Sequence, residues 1–242
     1  MAFLVKQGSV RQGSVRQDSV RQGDARQGSA RQGGVRRRGV PSRLTPDAVA
    51  VRRRSIRIFT EGSKTEPMYL THWQRLHRDR VSVVFDAFHG APLQLVERAT
   101  ARRAGEPRHS GRGRGDAHDE YWCVFDVDEH PNIDRALDLA AANGISVAVT
   151  NPCIEMWFLL HFQDWRAMID RGDAQRRSSG LLGCGKVPTK EALTDLVCHY
   201  PDARRRAREL DGKHALDGSP PRSNPSSGLW RLIDSIRESP RS

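Results

Sequence analysis

Tyr121-Trp122-Cys123-Val124-Phe125-Asp126-Val127-Asp128-Glu129-His130-Pro131-Asn132 is the stretch on which the fold turns. A run of bulky β-forming residues ends in two Asp residues with one position between them, then Glu129 and His130. The run reads as a buried strand with acids at its carboxyl end. In an open α/β sheet that end faces the crevice where ligands bind. Alternate strand residues point the same way, so Asp126 and Asp128 can converge on one cation. Two hard oxygen donors suit Mg²⁺ or Mn²⁺ better than zinc. The same acids also serve as turn residues or as the cap of a following helix. What the rest of the chain brings to them decides between the two readings.

Upstream, Ser55 to Phe59 reads as a short strand. It runs through Thr60-Glu61-Gly62-Ser63-Lys64-Thr65-Glu66-Pro67 into an amphipathic helix from Met68 to His77. Glu61 stands at the strand's carboxyl end. The turn offers Lys64 and backbone N–H groups to a phosphate, although it lacks the P-loop spacing. Alternatively it is a helix start, with Thr65 as cap and Glu66 in the first turn. Val81 to Phe85 is a second strand, followed by His89-Gly90-Ala91-Pro92 and a helix from Leu93 to about Arg103. His89 is either a structural histidine or a member of the same rim.

Downstream, a helix from Ile133 to Asn143 ends at Gly144, the position where a left-handed residue closes a helix. A fourth strand, Ile145 to Val149, leads into Asn151-Pro152-Cys153-Ile154-Glu155 and a dense apolar helix with Pro152 at its start. Glu155 suits a helix first turn for dipole reasons and is also a secondary site candidate, as is Asn151. Strands alternating with helices imply right-handed crossovers and a mainly parallel four-stranded sheet of α/β class flanked by helices. Such a sheet delivers Glu61, His89, Asp126 and Asp128 to one rim.

The remaining segments carry less pattern. Residues 166–242 read as a loop-rich helical extension packed on the 55–165 core, with Arg171 to Lys186 polar and Gly-rich. Helices are expected at Thr189–Tyr200, Asp202–Leu210 and Leu229–Ile236, and a Pro/Ser-rich loop at 219–228. Arg204, Arg205, Arg206 and Arg208 form either a solvated face or a nucleic-acid stripe. Residues 105–118 are a Gly/Arg/His loop, a basic flap over a polyanion or a surface insertion.

The first 54 residues read as a disordered basic tail and linker, built on a pentapeptide repeat from QGSVR to QGGVR. One Val or Ala in five residues matches neither structural period and cannot bury a core. The repeat is either a phosphate-binding tether or a dispensable extension. It also changes how the formal charge of +11 is read. Lys6 and eight Arg against Asp18 and Asp24 place seven of those charges before residue 39. A basic total suggests nucleic acid, but here it describes the tail more than the domain.

A hydrophobic content of 37% and an aromatic content of 6% agree with a partly unpacked chain. No apolar run approaches the roughly 20 residues that span a bilayer. The first residues are too short an apolar stretch for a secretory signal. A cytoplasmic protein without membrane contact is expected. The scattered Cys123, Cys153, Cys184 and Cys198 argue against a disulfide framework or a structural zinc site.

The order F-T-E-G-S-K-T-E-P (59–67), V-F-D-V-D-E-H-P-N (124–132), N-P-C-I-E-M-W-F-L-L-H-F (151–162) and N-P-S-S-G-L-W-R-L-I (224–233) resembles the RloB-like family over roughly residues 55–238. That family has a Toprim-like fold and accompanies bacterial restriction and phage-defence loci. The resemblance places Glu61, Asp126 and Asp128 where a Toprim core carries its acids. It implies that the two Asp hold Mg²⁺ (or Mn²⁺) and that Glu61 acts in proton transfer or as a ligand, for phosphodiester cleavage or nucleotidyl transfer. The expected function is a metal-dependent nuclease, acting on DNA or RNA and alongside protein partners of a defence locus. One alternative is a non-catalytic subunit that binds nucleic acid or a nucleotide. Another is a phosphatase resembling haloacid dehalogenases, whose hydrophobic-Asp-x-Asp motif V-F-D-V-D-E matches, although Glu129 and His130 stand where a small residue belongs.

Overall fold

The computed structural model describes residues 53–106, 118–127 and 130–238. The pentapeptide tail, nearly all of the 105–118 loop, Asp128 and Glu129 lie outside the described residues. The described residues fall within one compact unit, Ala48–Ser242.

Four strands run parallel: β1 (Arg54–Thr60), β2 (Val81–Phe85), β3 (Glu120–Asp126) and β4 (Ser146–Asn151). Among the described residues the sheet has five strands, not the four expected. A two-residue strand, β5 (Ser226–Ser227), pairs antiparallel to the end of β4, giving the order β2-β1-β3-β4-β5. Two residues inside a Pro/Ser-rich loop carry no alternation that could announce a strand.

The crossovers are α1 (Thr65–Leu76), α2 (Pro92–Gly105) and α3 (Ile133–Ala142). After β4 come α4 (Ile154–Phe162), α5 (Arg171–Leu182), α6 (Lys190–Cys198), α7 (Tyr200–Leu216) and α8 (Leu229–Arg237). β3 shows why this order forms a layered core. Its Trp122 and Val124 pack on one side, with α1, α4, α7 and α8. Its Tyr121, Cys123 and Phe125 pack on the other, with α2 and α3. Period-two alternation therefore sends both sets of a fully apolar strand into a core. α4 is enclosed on every side: each residue from Ile154 to His161 is buried, Glu155 and His161 among them.

Several local expectations change. α1 begins at Thr65, which is a helical residue rather than the cap; Lys64 precedes it without a side-chain capping bond. Pro152 lies before the α4 cap, Cys153, and not inside the helix. The polar, Gly-rich stretch after Asp170 is a helix, α5. The Asp170 carboxylate accepts from Asp173 N–H at 2.8 Å, and Gly183 closes it at φ 61°. The α7 arginines are largely engaged within the fold. Arg204 pairs with Asp234 at 2.6 Å, Arg205 with Glu209 at 2.8 Å, and Arg206 donates to Leu160 O at 2.9 Å, while Arg208 covers the Trp230 ring. All four cysteines are free. Among the described residues no helix is long and apolar enough to cross a membrane.

The Gly144 expectation is met in detail. Its φ is 61°, Ile145 N–H bonds back to Ala140 O at 2.9 Å, and Gly144 N–H bonds to Ala141 O at 3.3 Å, a Schellman closure. Gly144→Ala places a Cβ in the left-handed region and is expected to cost about 1 kcal/mol. Urea unfolding measures this, and an unchanged midpoint would contradict it.

Candidate functional site

Parallel pairing carries the ends of β1, β3 and β4 to one rim. Thr60 is in register with Val124, and Asp126 with Thr150. Glu61 continues the β1 ladder, donating its N–H to Val124 O at 3.0 Å. Its side chain then crosses the gap between strands. Oε2 accepts from Asp126 N–H at 3.2 Å, and Oε1 lies 3.2 Å from His130 Nε2. The Glu61 carboxylate is thus held at the carboxyl end of β3.

Two more carboxylates face the same space. Glu66, in the first turn of α1, is 7% exposed, and its Oε1 accepts from Gly62 N–H at 3.2 Å. A Cβ at position 62 would press on that carboxylate, so a side chain there would displace it. Glu155, in the first turn of α4, is 4% exposed, and its Oε1 has no hydrogen-bond partner among the described residues. Burial pushes the Glu66 carboxyl up, backbone N–H bonds partly offset this, and the charges of Glu61 and Glu155 push it further. Asp126 is pushed well above the usual carboxylate range by burial, then by Glu66 and Glu61, with Arg171 opposing. Arg171 Nη2 lies 3.2 Å from Asp126 Oδ2.

These groups line a cleft of about 450 Å³, together with Lys64, His89, Gln175 and Lys186. His89 Nδ1 lies 3.0 Å from Thr60 O; a carbonyl only accepts, so Nδ1 is protonated and tied to the end of β1. Glu61, Asp126, Lys64, Glu66, His89 and Glu155 therefore come together in one cleft, with His130 against Glu61. Asn151 does not line it, since its Nδ2 donates to Arg222 O at 2.8 Å in the loop before β5. Asp128 and Glu129 lie outside the described residues.

Arg171, Gln175 and Lys186 were missed from sequence because they belong to a stretch read only as polar and Gly-rich. The signal that could have found them is Asp170 with Asp173 three residues on, a helix N-terminus pattern that aims α5 at the rim.

The carboxylates suit a hard cation such as Mg²⁺ or Mn²⁺: they are oxygen donors that repel one another, and one buried carboxylate oxygen has no partner among the described residues. Among the described residues, no group of three or more His, Cys, Asp or Glu side chains is gathered closely enough to hold a metal ion. A family model described as RloB-like protein matches residues 56–236. No curated protein and no solved structure matches the chain.

Proposed function

The chain belongs to the RloB-like family, and from the acid-lined cleft at its strand ends we propose a Mg²⁺- or Mn²⁺-dependent, Toprim-type phosphodiester chemistry on nucleic acid, as a nuclease in bacterial phage defence. The observation that carries the reading is the Glu61 carboxylate reaching across to the Asp126 N–H at 3.2 Å. It seats the Glu61 carboxylate at the end of β3, close enough that its charge helps to raise the Asp126 carboxyl. The defence setting rests on the family resemblance alone.

In this reading Asp126, Asp128 and Glu61 would hold the cation. Bound there, it supplies charge stabilisation to the attacking and leaving oxygens at phosphorus. The protein's own residues do the rest. Glu61 accepts a proton from the attacking group, and His130, 3.2 Å from Oε1, fixes the orientation of its carboxylate. Lys64 and Lys186 line the cleft and offset the charge of a phosphodiester. Arg171 balances the Asp126 charge from the α5 side.

A second reading keeps the same cleft without turnover: a subunit that binds nucleic acid or a nucleotide. The ion pair between Arg171 and Asp126 favours it, since that arginine already partly neutralises the principal acid.

The deciding experiment incubates the full chain with single- and double-stranded DNA and with RNA, in Mg²⁺, Mn²⁺ or EDTA. Cleavage that requires the metal is expected. The metal alone should also stabilise the fold, by about 2.7 kcal/mol at a hundred times its Kd, read as a rise in melting temperature. Binding of nucleic acid with no cleavage under any condition would replace the nuclease by the binding module.

A further inference from the structure

A second cleft, of about 380 Å³, shares no lining residue with the acid cluster. Its walls are Val147 and Val149 of β4, the last turns of α7, the loop before β5, and Arg231 of α8. Two of its buried polar side chains each keep one atom without a hydrogen-bond partner among the described residues. His214 is 5% exposed, and its Nε2 lies 2.9 Å from Pro225 O. That carbonyl can only accept, so Nε2 carries the proton and Nδ1 presents a lone pair. Neither His214 Nδ1 nor the Oγ of Ser226, 2% exposed, has a hydrogen-bond partner among the described residues. Buried polar atoms are ordinarily paired, so two in one cleft mark groups that a ligand would satisfy.

Two arginines, Arg222 and Arg231, also line the cleft. Arg231 is held by Asp211 at 2.8 Å and by the Trp230 face, 4.5 Å from the ring centroid. Arg222 has φ 67°, uncommon outside glycine, and its carbonyl accepts from Asn151 at 2.8 Å, which pins the turn. Burial and the nearby Arg231 push the Arg222 guanidinium below its usual range, with Asp134 and Asp211 opposing. Paired guanidiniums are matched to phosphate oxygens. The apolar Val147, Val149 and Pro221 offer a surface for a ring, in a volume suited to a small ligand.

We propose that this cleft binds a phosphate monoester of nucleoside-monophosphate size, its phosphate on Arg222 and Arg231 and a hydroxyl or N–H on His214 Nδ1 and Ser226 Oγ. The test is calorimetric titration of the full chain in EDTA with the four ribonucleoside monophosphates, and with inorganic phosphate and the free nucleosides. At least one nucleotide is expected to bind about tenfold or more tightly than either of its fragments. Arg222→Gln and Ser226→Ala should each weaken it, the former by about tenfold or more, with unchanged circular dichroism. Asp126→Asn should leave the affinity as it is. Failure of all four nucleotides to bind, affinity no greater than that of phosphate, or indifference to both cleft variants would overturn the proposal. So would loss of binding in Asp126→Asn, which would place the ligand at the acid cluster instead.

Discussion

Asp126→Asn is expected to have opposite effects on activity and on stability. Metal-dependent cleavage should fall on the order of 10²–10³-fold, comparable to removing one preorganised charge-stabilising group from an active site. The fold should become more stable at neutral pH. The carboxyl of Asp126 is raised by burial and by Glu66 and Glu61. A carboxyl raised in the folded state favours folding while it is protonated and costs stability as pH climbs from its unfolded value towards its folded one. The neutral amide relieves that cost above the unfolded value of about 3.9, and the gain should vanish near pH 3. Losing the partner of Arg171, itself 43% exposed, offsets little of this. A gain of about 1 kcal/mol corresponds to roughly 2–4 °C in melting temperature for a domain of this size. Retained cleavage would remove Asp126 from the reaction. A lower melting temperature at neutral pH would refute the crowding of carboxylates.

Acid should unfold the protein through His161. This side chain is fully buried on α4, its Nδ1 2.9 Å from Trp157 O and its Nε2 3.5 Å from the Tyr69 hydroxyl, which also accepts from Trp157 Nε1 at 2.8 Å. Nδ1 faces a carbonyl and so carries the proton, which leaves Nε2 as an acceptor. A second proton would charge a ring that water cannot reach. Burial therefore pushes the His161 value down to about 3, with the charges of His199 and Arg206 acting in the same direction and the Trp157 carbonyl opposing. A histidine lowered in the folded state is bound by protons more readily when unfolded. Its contribution is complete above about pH 6.5 and is lost as pH falls towards the folded value. The slope is about 1.4 kcal/mol per pH unit, roughly 2–3 kcal/mol between pH 6 and 4. Denaturant unfolding of the protein and of His161→Leu across that range isolates the effect from other titrating groups. The variant is expected to start lower, because Tyr69 loses an acceptor, but to show a shallower acid slope. Equal slopes would sink the account.

The sequence by itself determined the elements whose signal is local. A continuous apolar strand ending in Asp126 needs only its own composition to be legible, and the surrounding strands and crossover helices follow from their periods. Gly144 could be read as a helix stop because φ 61° is a local demand. Parallel order then made the meeting of Glu61 with Asp126 foreseeable. What only the tertiary structure decided are the contacts that no local period encodes. β5 exists because β4 offers its edge to two residues of a loop more than seventy positions away. α5 is stabilised by its cap and by packing against α4 rather than by an apolar stripe, so Arg171 and Gln175 reached the cleft unannounced. Asn151 stands beside the strand-end acids in the chain, yet it bonds Arg222 because the fold brings that carbonyl to it. The α7 arginines, a potential nucleic-acid stripe in sequence, meet Asp234, Glu209 and the α4 carbonyls instead. Composition records which charges and donors a chain carries; their partners depend on distances that exist only once it has folded.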